Sequence, residues 1–265
     1  MGLLRKTALK ILKTTAFDTA ITHHFTKRKF FLNSYNHKGY WYYGANREGD
    51  TISIFQKWVK PGDYVLEIGG HIGYFTTFYA NIAGKAGKVD VFEPSEKNAK
   101  YLVKNVAALP DGIRENVTLV AKGAGDSNTV LDFYIDPISG QNNSFVKDFD
   151  GFLSTRENSA EAQAETKIES IEVITLDSYF EGKDRLPNFV KIDVEGFEWN
   201  VLKGFAETIA KAKPKVMVEI QANAKEILEF FISNGYTVYN DKLEKIADYS
   251  QYATKRSPNI FFSHD

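Results

Sequence analysis

The chain has 265 residues, of which 43% are hydrophobic and 25% charged, and its net charge is −1. This composition is typical of a soluble globular protein, and the length favours one α/β domain with additions over two independent domains. The absence of cysteine excludes disulfides, cysteine nucleophiles, thiolate zinc sites and cysteine-held iron–sulfur clusters, and it fits a cytoplasmic location. No apolar run approaches the roughly 18 residues of a membrane span, and lysines interrupt any secretory signal near residue 1.

Basic residues are concentrated at the start of the chain. Residues 1–29 contain seven of the 33 Lys and Arg residues and one of the 34 Asp and Glu residues, which leaves 26 basic and 33 acidic side chains for the rest. We therefore expect no nucleic-acid binding by the body of the protein. The spacing of Leu4, Ala8, Ile11 and Leu12 predicts a basic amphipathic helix. We favour docking of this helix on its own domain over peripheral membrane contact through residues 1–29.

We assign residues 1–46 to an N-terminal extension that combines this helix with an aromatic segment. The segment YWYYG, at residues 40–44, is interpreted as core, as a subunit interface or as a roof over a ligand. Its interpretation leaves the oligomeric state open.

From residue 64 onward, short apolar runs alternate with helical patterns. The runs predict strands at residues 64–69, 88–93, 117–122, 188–193 and 215–220. Pro94 and Ser95 open one intervening helix, whose predicted apolar face contains Leu102 and Val103. The alternation predicts an α/β fold with a doubly wound parallel sheet covered on both faces, within a domain at residues 47–265.

Residues 125–187 interrupt this alternation. They contain two predicted strands, at 130–135 and 168–174, a polar loop at 156–166, and a turn at 139–144 that could reach a ligand. We interpret this segment as an insertion at the rim of the sheet. Two closing strands are predicted at 236–240 and 259–263.

The first candidate site is the glycine-rich stretch EIGGHIG, from Glu67 to Gly73. Ligands of doubly wound sheets bind beyond the carboxyl ends of the strands, where glycines allow close approach to the backbone. The glycines stand at 69, 70 and 73 and do not form the G-x-G-x-x-G pattern of nicotinamide-binding proteins. Glu93, at the end of the second strand, can accept hydrogen bonds from two ribose hydroxyls, or it can simply cap the next helix. We favour nucleoside binding.

Three stretches, VLEIGGHIGYFT, VDVFEPSEKNAKYLVKNV and VKIDVEGFEWNVLKGF, resemble the FkbM family of S-adenosylmethionine-dependent methyltransferases. The resemblance runs from about residue 47 to the end. It implies a class I methyltransferase fold, with a Rossmann-like sheet of about seven strands and an antiparallel last strand. It also implies S-adenosylmethionine as the cofactor and methyl transfer to an oxygen, commonly a hydroxyl of a sugar, a glycan or a secondary metabolite.

One loop departs from the family pattern. Such families usually read Asp-x-Gly-Ala-Asn-x-Gly, whereas this chain has Glu67, Gly70 and His71 at the first acid, alanine and asparagine positions. His71 could contact the methionine end of the cofactor, assist proton removal or cap local backbone groups. We favour a cofactor contact or a cap.

The resemblance assigns most candidate residues to the cofactor. The predicted cofactor-binding residues are Glu67, Gly69, Gly70, His71, Gly73, Glu93, Gly123, Asp126 and Asp193. Among them, Asp126 in the stretch KGAGD is the candidate for the exocyclic amine of adenine. By resemblance, the turn Asn142 to Ser144 also lies near the site.

The predicted catalytic residues are Asp193, Glu195 and His71. Asp193 is expected to hold the cofactor's amino group or the acceptor hydroxyl, and Glu195 the acceptor, because a carboxylate can orient a hydroxyl and take its proton. Alternatively, Glu195 caps the following helix, which contains the predicted buried stripe. The expected partner is a small-molecule or glycan acceptor.

Two alternatives stay open. The acids could hold Mg²⁺, as in catechol-type O-methyltransferases, although no third ligand is evident and we do not favour it. The protein could also be a non-catalytic S-adenosylmethionine-binding or scaffold protein. Oxygen is favoured over planar nitrogen as the acceptor atom, because DVEG stands where amino-group methyltransferases often carry an Asn/Asp-Pro-Pro-aromatic run.

Overall fold

The computed structural model of the chain describes residues 11–136, 141–147, 166–249 and 259–264. Most of the predicted N-terminal helix lies outside these residues, as does residue range 156–165 of the predicted polar loop. Residues 11–14 are helical. No helix within the described ranges combines the length and the apolar character needed to cross a membrane.

A seven-stranded sheet forms the centre of the molecule. Its strands are β3 (Tyr64–Ile68), β4 (Lys88–Phe92), β5 (Val117–Val120), β9 (Phe189–Ile192), β10 (Lys215–Glu219), β11 (Thr237–Tyr239) and β12 (Asn259–Ser263), in the order β11-β12-β10-β9-β3-β4-β5. The last strand, β12, runs antiparallel to both of its neighbours, and the other pairs are parallel. The α/β prediction, including the reversed last strand of the class I methyltransferase fold, is confirmed.

Helices cover both faces of this sheet. On one face lie α2 (Gly49–Trp58), α3 (Tyr74–Ala83) and α4 (Glu96–Ala107), together with the short α1 (Lys38–Tyr43). On the other face lie α5 (Leu176–Phe180), α6 (Glu198–Lys203), α7 (Ala206–Ala212) and α8 (Ala224–Ser233). Each face has its own hydrophobic core. All five residues of β3 are buried, which explains why this strand reads as a continuous apolar run interrupted only by Glu67.

A β-hairpin that the sequence did not predict packs beside α4. Its strands are β1 (Asp18–Thr22) and β2 (Lys29–Asn33), and they pair antiparallel. Asn105 of α4 joins the hairpin to the domain, since its side chain bonds to both the N–H and the carbonyl of Phe31 and to the carbonyl of Ile72. The predicted apolar face of α4 is therefore partly wrong: Asn105 is buried, whereas Val103 is 54% exposed.

A second sheet combines two strands of the predicted insertion with a short strand that immediately precedes it. It consists of β6 (Gly123–Ala124), β7 (Thr129–Ile135) and β8 (Lys167–Ile174), in the order β6-β8-β7. A bridge between Tyr134 and Ser144 attaches the following turn to β7. The ring of Phe145 contacts those of Phe133 and Phe197, with centroids 4.6 and 5.2 Å apart, and so ties the turn to the segment after β9.

The helical pattern after β9 forms two helices instead of one. α6 ends at Lys203 and α7 begins at Ala206. A Cβ on Gly204 would lie 1.9 Å from the carbonyl oxygen of Gly125, so the helix breaks where the loop after β6 crosses it. The predicted stripe, consisting of Phe197, Val201, Leu202, Phe205 and Ile209, is nonetheless buried throughout.

Candidate active site

A cavity of about 460 Å³ opens beyond the carboxyl ends of β3, β4, β9 and β10. The predicted residues that line it are Glu67, Gly69, Gly70, His71, Glu93, Gly123, Asp193 and Glu195. Asn142 and Asn143 of the rim turn also line it, as the resemblance implies. Two predicted cofactor residues, Gly73 and Asp126, do not.

The side chains beneath the cavity follow from the register of the sheet. One row runs across the face that carries α2 and α3, and it contains Val91, Glu67, Lys191, Met217 and Phe261. Successive side chains of a strand alternate between the two faces of the sheet. The residues two positions nearer the cavity therefore lie on the same face and form a second row at the cavity mouth. This mouth row contains Glu93, Gly69, Asp193, Glu219 and Asn259. The last two are paired directly in the register of β10 and β12.

Backbone geometry explains the glycines of the loop. Gly69 has φ +88°, and a Cβ there would lie 1.9 Å from the carbonyl oxygen of Asp193. The N–H groups of Gly69 and Gly70 both donate to the carbonyl of Phe92, at 3.0 and 3.1 Å. Gly73, with φ +84°, turns the chain into α3. Gly73 is therefore a structural residue of the loop, and it does not face the cavity.

Glu93 and His71 are joined by the loop. The Glu93 carboxylate accepts hydrogen bonds from the N–H groups of His71 and Ser95, at 2.7 and 2.9 Å, and from the Asn98 amide, at 3.3 Å. Burial raises the pKa of Glu93 to about 7. His71 has φ +49°, in the left-handed region where Asn and His are both enriched. This conformation gives a physical reason why histidine can replace the usual asparagine.

The four aromatic residues of the segment at 40–44 differ in their exposure to solvent. Tyr40 is buried and lines the cavity, whereas the next three residues, Trp41 to Tyr43, are exposed. A hydrogen bond of 3.2 Å joins the Tyr40 hydroxyl to Nδ1 of His71, and the two rings stack. Burial holds the pKa of His71 well below its usual value, so the ring is neutral at pH 7. Within the described part of the chain, its buried Nε2 has no hydrogen-bond partner.

A buried lysine lies between two acids of the rows. Lys191 is 1% exposed, and its Nζ lies 2.8 Å from Oδ2 of Asp193. Burial opposes its charge, but the carboxylates of Asp193 and Glu67 outweigh burial and hold its pKa above the usual value. Glu67 accepts a hydrogen bond of 2.5 Å from the Thr76 hydroxyl, while its Oε1 has no partner among the described residues. Burial raises the pKa of Glu67 to about 7.

Glu195 precedes the next helix and does not cap it. It has φ +54° in the turn after β9, whereas α6 begins at Glu198, and the carboxylate of Glu198 accepts the N–H of Gly196 at 2.8 Å. The expectation that Glu195 starts or caps the helix is thus not what the structure has. The Ser144 hydroxyl donates to the main-chain carbonyl of Glu195, at 2.6 Å, and so links the rim turn to the site.

The structure corrects the position of Asp126. Its carboxylate accepts hydrogen bonds from the side chains of Lys203 and Asn200, outside the cavity, and the bond from Lys203 lowers its pKa. Both partners lie on α6, and the following Gly204 packs closely against the loop after β6 at Gly125. The part of KGAGD that lines the cavity is Lys122 to Ala124.

Sequence reasoning missed several residues of the cavity, namely Glu48, Lys191, Glu219 and Asn259. Glu219 follows an apolar run at a strand end, the same signal that selected Glu93 and Asp193. The negative charge of Asp193 and, next, burial raise the pKa of Glu219 to about 8. Among the residues that the structure describes, no three His, Asp or Glu side chains converge in a way that could hold a metal ion.

Comparisons with known proteins identify the family. The chain is 24% identical over 204 residues to hexuronic acid methyltransferase AglP from Haloferax volcanii, covering 76% of this chain and 75% of that protein. A crystal structure of methyltransferase FkbM from Methylobacillus flagellatus aligns with a TM-score of 0.48 and 16% identity, over 80% of this chain and 50% of that one.

Aeropyrum pernix fibrillarin, solved with natively bound S-adenosyl-L-methionine, aligns with a TM-score of 0.41 and 11% identity, over 78% of this chain and 68% of that one. Residues 67–238, well over half of the chain, match the Methyltransferase FkbM domain. These residues include the glycine-rich loop, Glu93 and the acids after β9. The chain therefore belongs to the FkbM family of methyltransferases.

Proposed function

We propose that the protein is an S-adenosylmethionine-dependent O-methyltransferase that acts on a hydroxyl group of a sugar, a glycan or a secondary metabolite. The observation that carries this proposal is the order of the mouth row. Glu93, the glycine loop and Asp193 lie side by side along one cavity, which matches a ligand with a ribose at one end and a charged amino acid at the other.

The residues of the cavity fit the cofactor. Glu67 Oε1 and His71 Nε2 are buried polar atoms with no partner among the described residues, as expected of groups that bind a polar ligand. Glu93 would hold the ribose hydroxyls, and Asp193 with Glu67 would favour the cationic amino group. When bound, S-adenosylmethionine supplies a methyl group that its sulfonium has already activated.

The carboxylates that line the cavity support oxygen as the target. Carboxylates can orient a hydroxyl and accept its proton, and Asp193 and Glu195 line the cavity at the end of β9. The name of the Haloferax volcanii relative, a hexuronic acid methyltransferase, supports a sugar as the acceptor. The side chains of the protein thus need only align a hydroxyl with the methyl carbon and accept one proton.

Titration calorimetry tests the cofactor first. We expect S-adenosylmethionine and S-adenosylhomocysteine to bind, NAD not to bind, and added Mg²⁺ to leave both affinities unchanged. Transfer of a tritiated methyl group to hexoses, hexuronic acids and their glycosides then tests the acceptor class. Binding of NAD, or binding of neither sulfur nucleoside, would contradict the proposal.

A further inference from the structure

We propose that Glu219, Asn259 and Glu48 form the acceptor-binding half of the cavity, and that Glu219 is the catalytic residue that takes the proton of the acceptor hydroxyl. This inference rests on the proposed function and adds the position of the acceptor and the identity of the base. It gives Glu219 the role that the sequence suggested for Glu195.

The mouth row gives the position of the acceptor. Glu93 lies at the β4 end, next to the loop on β3, and Asp193 follows on β9. Glu219 on β10 and Asn259 on β12 continue the row away from the ribose end. Met217 lies two residues before Glu219 and also lines the cavity. A ligand that occupies the cofactor half therefore leaves the β10–β12 end for its reaction partner.

Three polar side chains meet the cavity at this end. The Asn259 amide donates to the Thr51 hydroxyl at 3.0 Å, which fixes its orientation against α2. Glu48, just before α2, is paired with Arg47, whose Nε lies 3.2 Å from its carboxylate. An amide and carboxylates are hydrogen-bonding partners for hydroxyl groups, so this end suits a polyhydroxylated acceptor.

Glu219 is better suited as the base than Asp193. The Asp193 carboxylate is already engaged by the buried ammonium of Lys191, whose Nζ lies 2.8 Å from its Oδ2, on the cofactor side of the mouth row. The Glu219 carboxylate accepts a hydrogen bond from the neutral side-chain amide of Gln221, at 2.7 Å. The groups that act on its charge are Asp193 just after β9, Lys191 on β9, Glu48 before α2 and Glu198 on α6. Their balance raises the pKa of Glu219 to about 8, a proton affinity suited to general-base work near neutral pH.

The proposed methyl transfer is a single displacement in which every bond and proton is accounted for. The acceptor oxygen forms a bond to the methyl carbon as the carbon–sulfur bond breaks, and the bonding electron pair stays on sulfur. The proton of the acceptor hydroxyl passes to the Glu219 carboxylate. Because Glu219 must be ionised, the rate of transfer is expected to rise as the pH increases toward about 8 and then to level off.

The test uses the full-length protein, with methyl α-D-glucopyranoside and D-glucuronic acid as probe acceptors. Binding of S-adenosylhomocysteine is measured by calorimetry, binding of each sugar to the loaded protein by saturation-transfer NMR, and methyl transfer with tritiated S-adenosylmethionine. The variants are Glu219→Gln and Asn259→Ala. Glu229→Gln, on the exposed face of α8, is the matched control.

We expect Glu219→Gln to bind S-adenosylhomocysteine within about twofold of wild type while transfer falls roughly 100-fold or more and loses its rise with pH. Asn259→Ala should weaken sugar binding about tenfold at unchanged nucleoside affinity. The control should match wild type in every measurement.

The outcomes separate this inference from the proposed function. If wild type does not bind S-adenosylhomocysteine, the proposed function fails. If the nucleoside binds but neither sugar does, or if sugar binding is the same in Asn259→Ala, the acceptor subsite is overturned. Transfer by Glu219→Gln at the wild-type rate overturns its role as the base.

Discussion

Gly69 occupies a position that cannot hold a side chain. Its φ of +88° lies in the left-handed region, and the carbonyl of Asp193 on the neighbouring strand lies 1.9 Å from where a Cβ would be. The close approach of the β3 loop to β9 is what brings the proposed cofactor residues and the acids into one cavity. The relative position of the glycine loop and the acids thus depends on the backbone contact between Gly69 and Asp193.

Gly69→Ala should therefore destabilise the fold as well as the site. We expect the free energy of unfolding to fall by about 2–4 kcal/mol, because the new methyl group is both strained and overpacked. Chemical denaturation measures this. Gly49→Ala is the matched control, since nothing lies within 4 Å of its Cβ position, and it should be neutral. Equal stability of the two variants would contradict the contact.

Glu93→Ala tests the ribose assignment. The carboxylate is a candidate acceptor for ribose hydroxyls and also holds the N–H of His71, so its loss should weaken S-adenosylhomocysteine binding about 10- to 100-fold. Calorimetry measures the affinity, and thermal unfolding reports any collapse of the loop. Glu96→Ala, an exposed acid three residues further on, is the control. Unchanged affinity in Glu93→Ala would refute the assignment.

At the scale of elements, the hairpin of β1 and β2 depends on one side chain of α4. Asn105 makes three hydrogen bonds to main-chain groups, two of them to Phe31. It is buried, so truncation leaves these groups unsatisfied. The hairpin in turn packs against the aromatic residues that cover the glycine loop, including Phe30 against Tyr40 and Tyr74.

Asn105→Ala should lower the free energy of unfolding by about 1–3 kcal/mol, because buried polar groups lose their partners. Hydrogen exchange should report the loss first at the amides of residues 18–33. Lys100→Ala, on the exposed side of the same helix, should change little. If the hairpin amides stay as protected as in wild type, Asn105 is not what holds the hairpin.

Comparison of the central strands with α4 shows which elements could be predicted from the sequence and which could not. Strands β3, β4 and β9 were predicted because they are buried on both faces, so each reads as an apolar run. The burial of Asn105 could not be predicted, because its partners lie 74 residues away at Phe31 and 33 away at Ile72. The break after Lys203 likewise depends on a contact with a distant segment, the loop at Gly125.

The same distinction holds within the site. Glu93 and Asp193 were predicted because an acid after an apolar strand marks the mouth of a parallel sheet. Asn259 stands at the start of a strand and carries no such mark. Only the antiparallel direction of β12 brings that start to the mouth, next to Glu219.

At the scale of the whole molecule, buried ionisable groups link stability to pH. Burial raises the pKa values of Glu67, Glu93 and Glu198 to about 7. The pKa of Glu219 is raised to about 8. Burial lowers the pKa values of His23 and His37 to about 4. The two sets of groups titrate in different pH ranges, and they act on stability with opposite signs.

The histidines bind fewer protons when folded between pH 4 and 6.5, so there they make stability rise with pH. The carboxyls bind more protons when folded from about pH 4.5 up to about 7 or 8, so they make stability fall. Below pH 6.5 the two effects oppose each other. Between pH 6.5 and 8 the carboxyls act alone.

We therefore expect the ligand-free protein to lose stability from pH 6.5 to 8, by on the order of 1 kcal/mol for each of these carboxyls, because ionisation leaves a buried charge. Urea denaturation across this range measures the slope. Glu198 does not line the cavity, and glutamine can still accept the N–H of Gly196, so Glu198→Gln should flatten the slope by one carboxyl's share. Glu229→Gln, whose carboxyl is exposed in wild type, should keep the wild-type slope. A wild-type stability that stays constant or rises across this window would show that the four carboxyls are already ionised in the folded protein at pH 6.5.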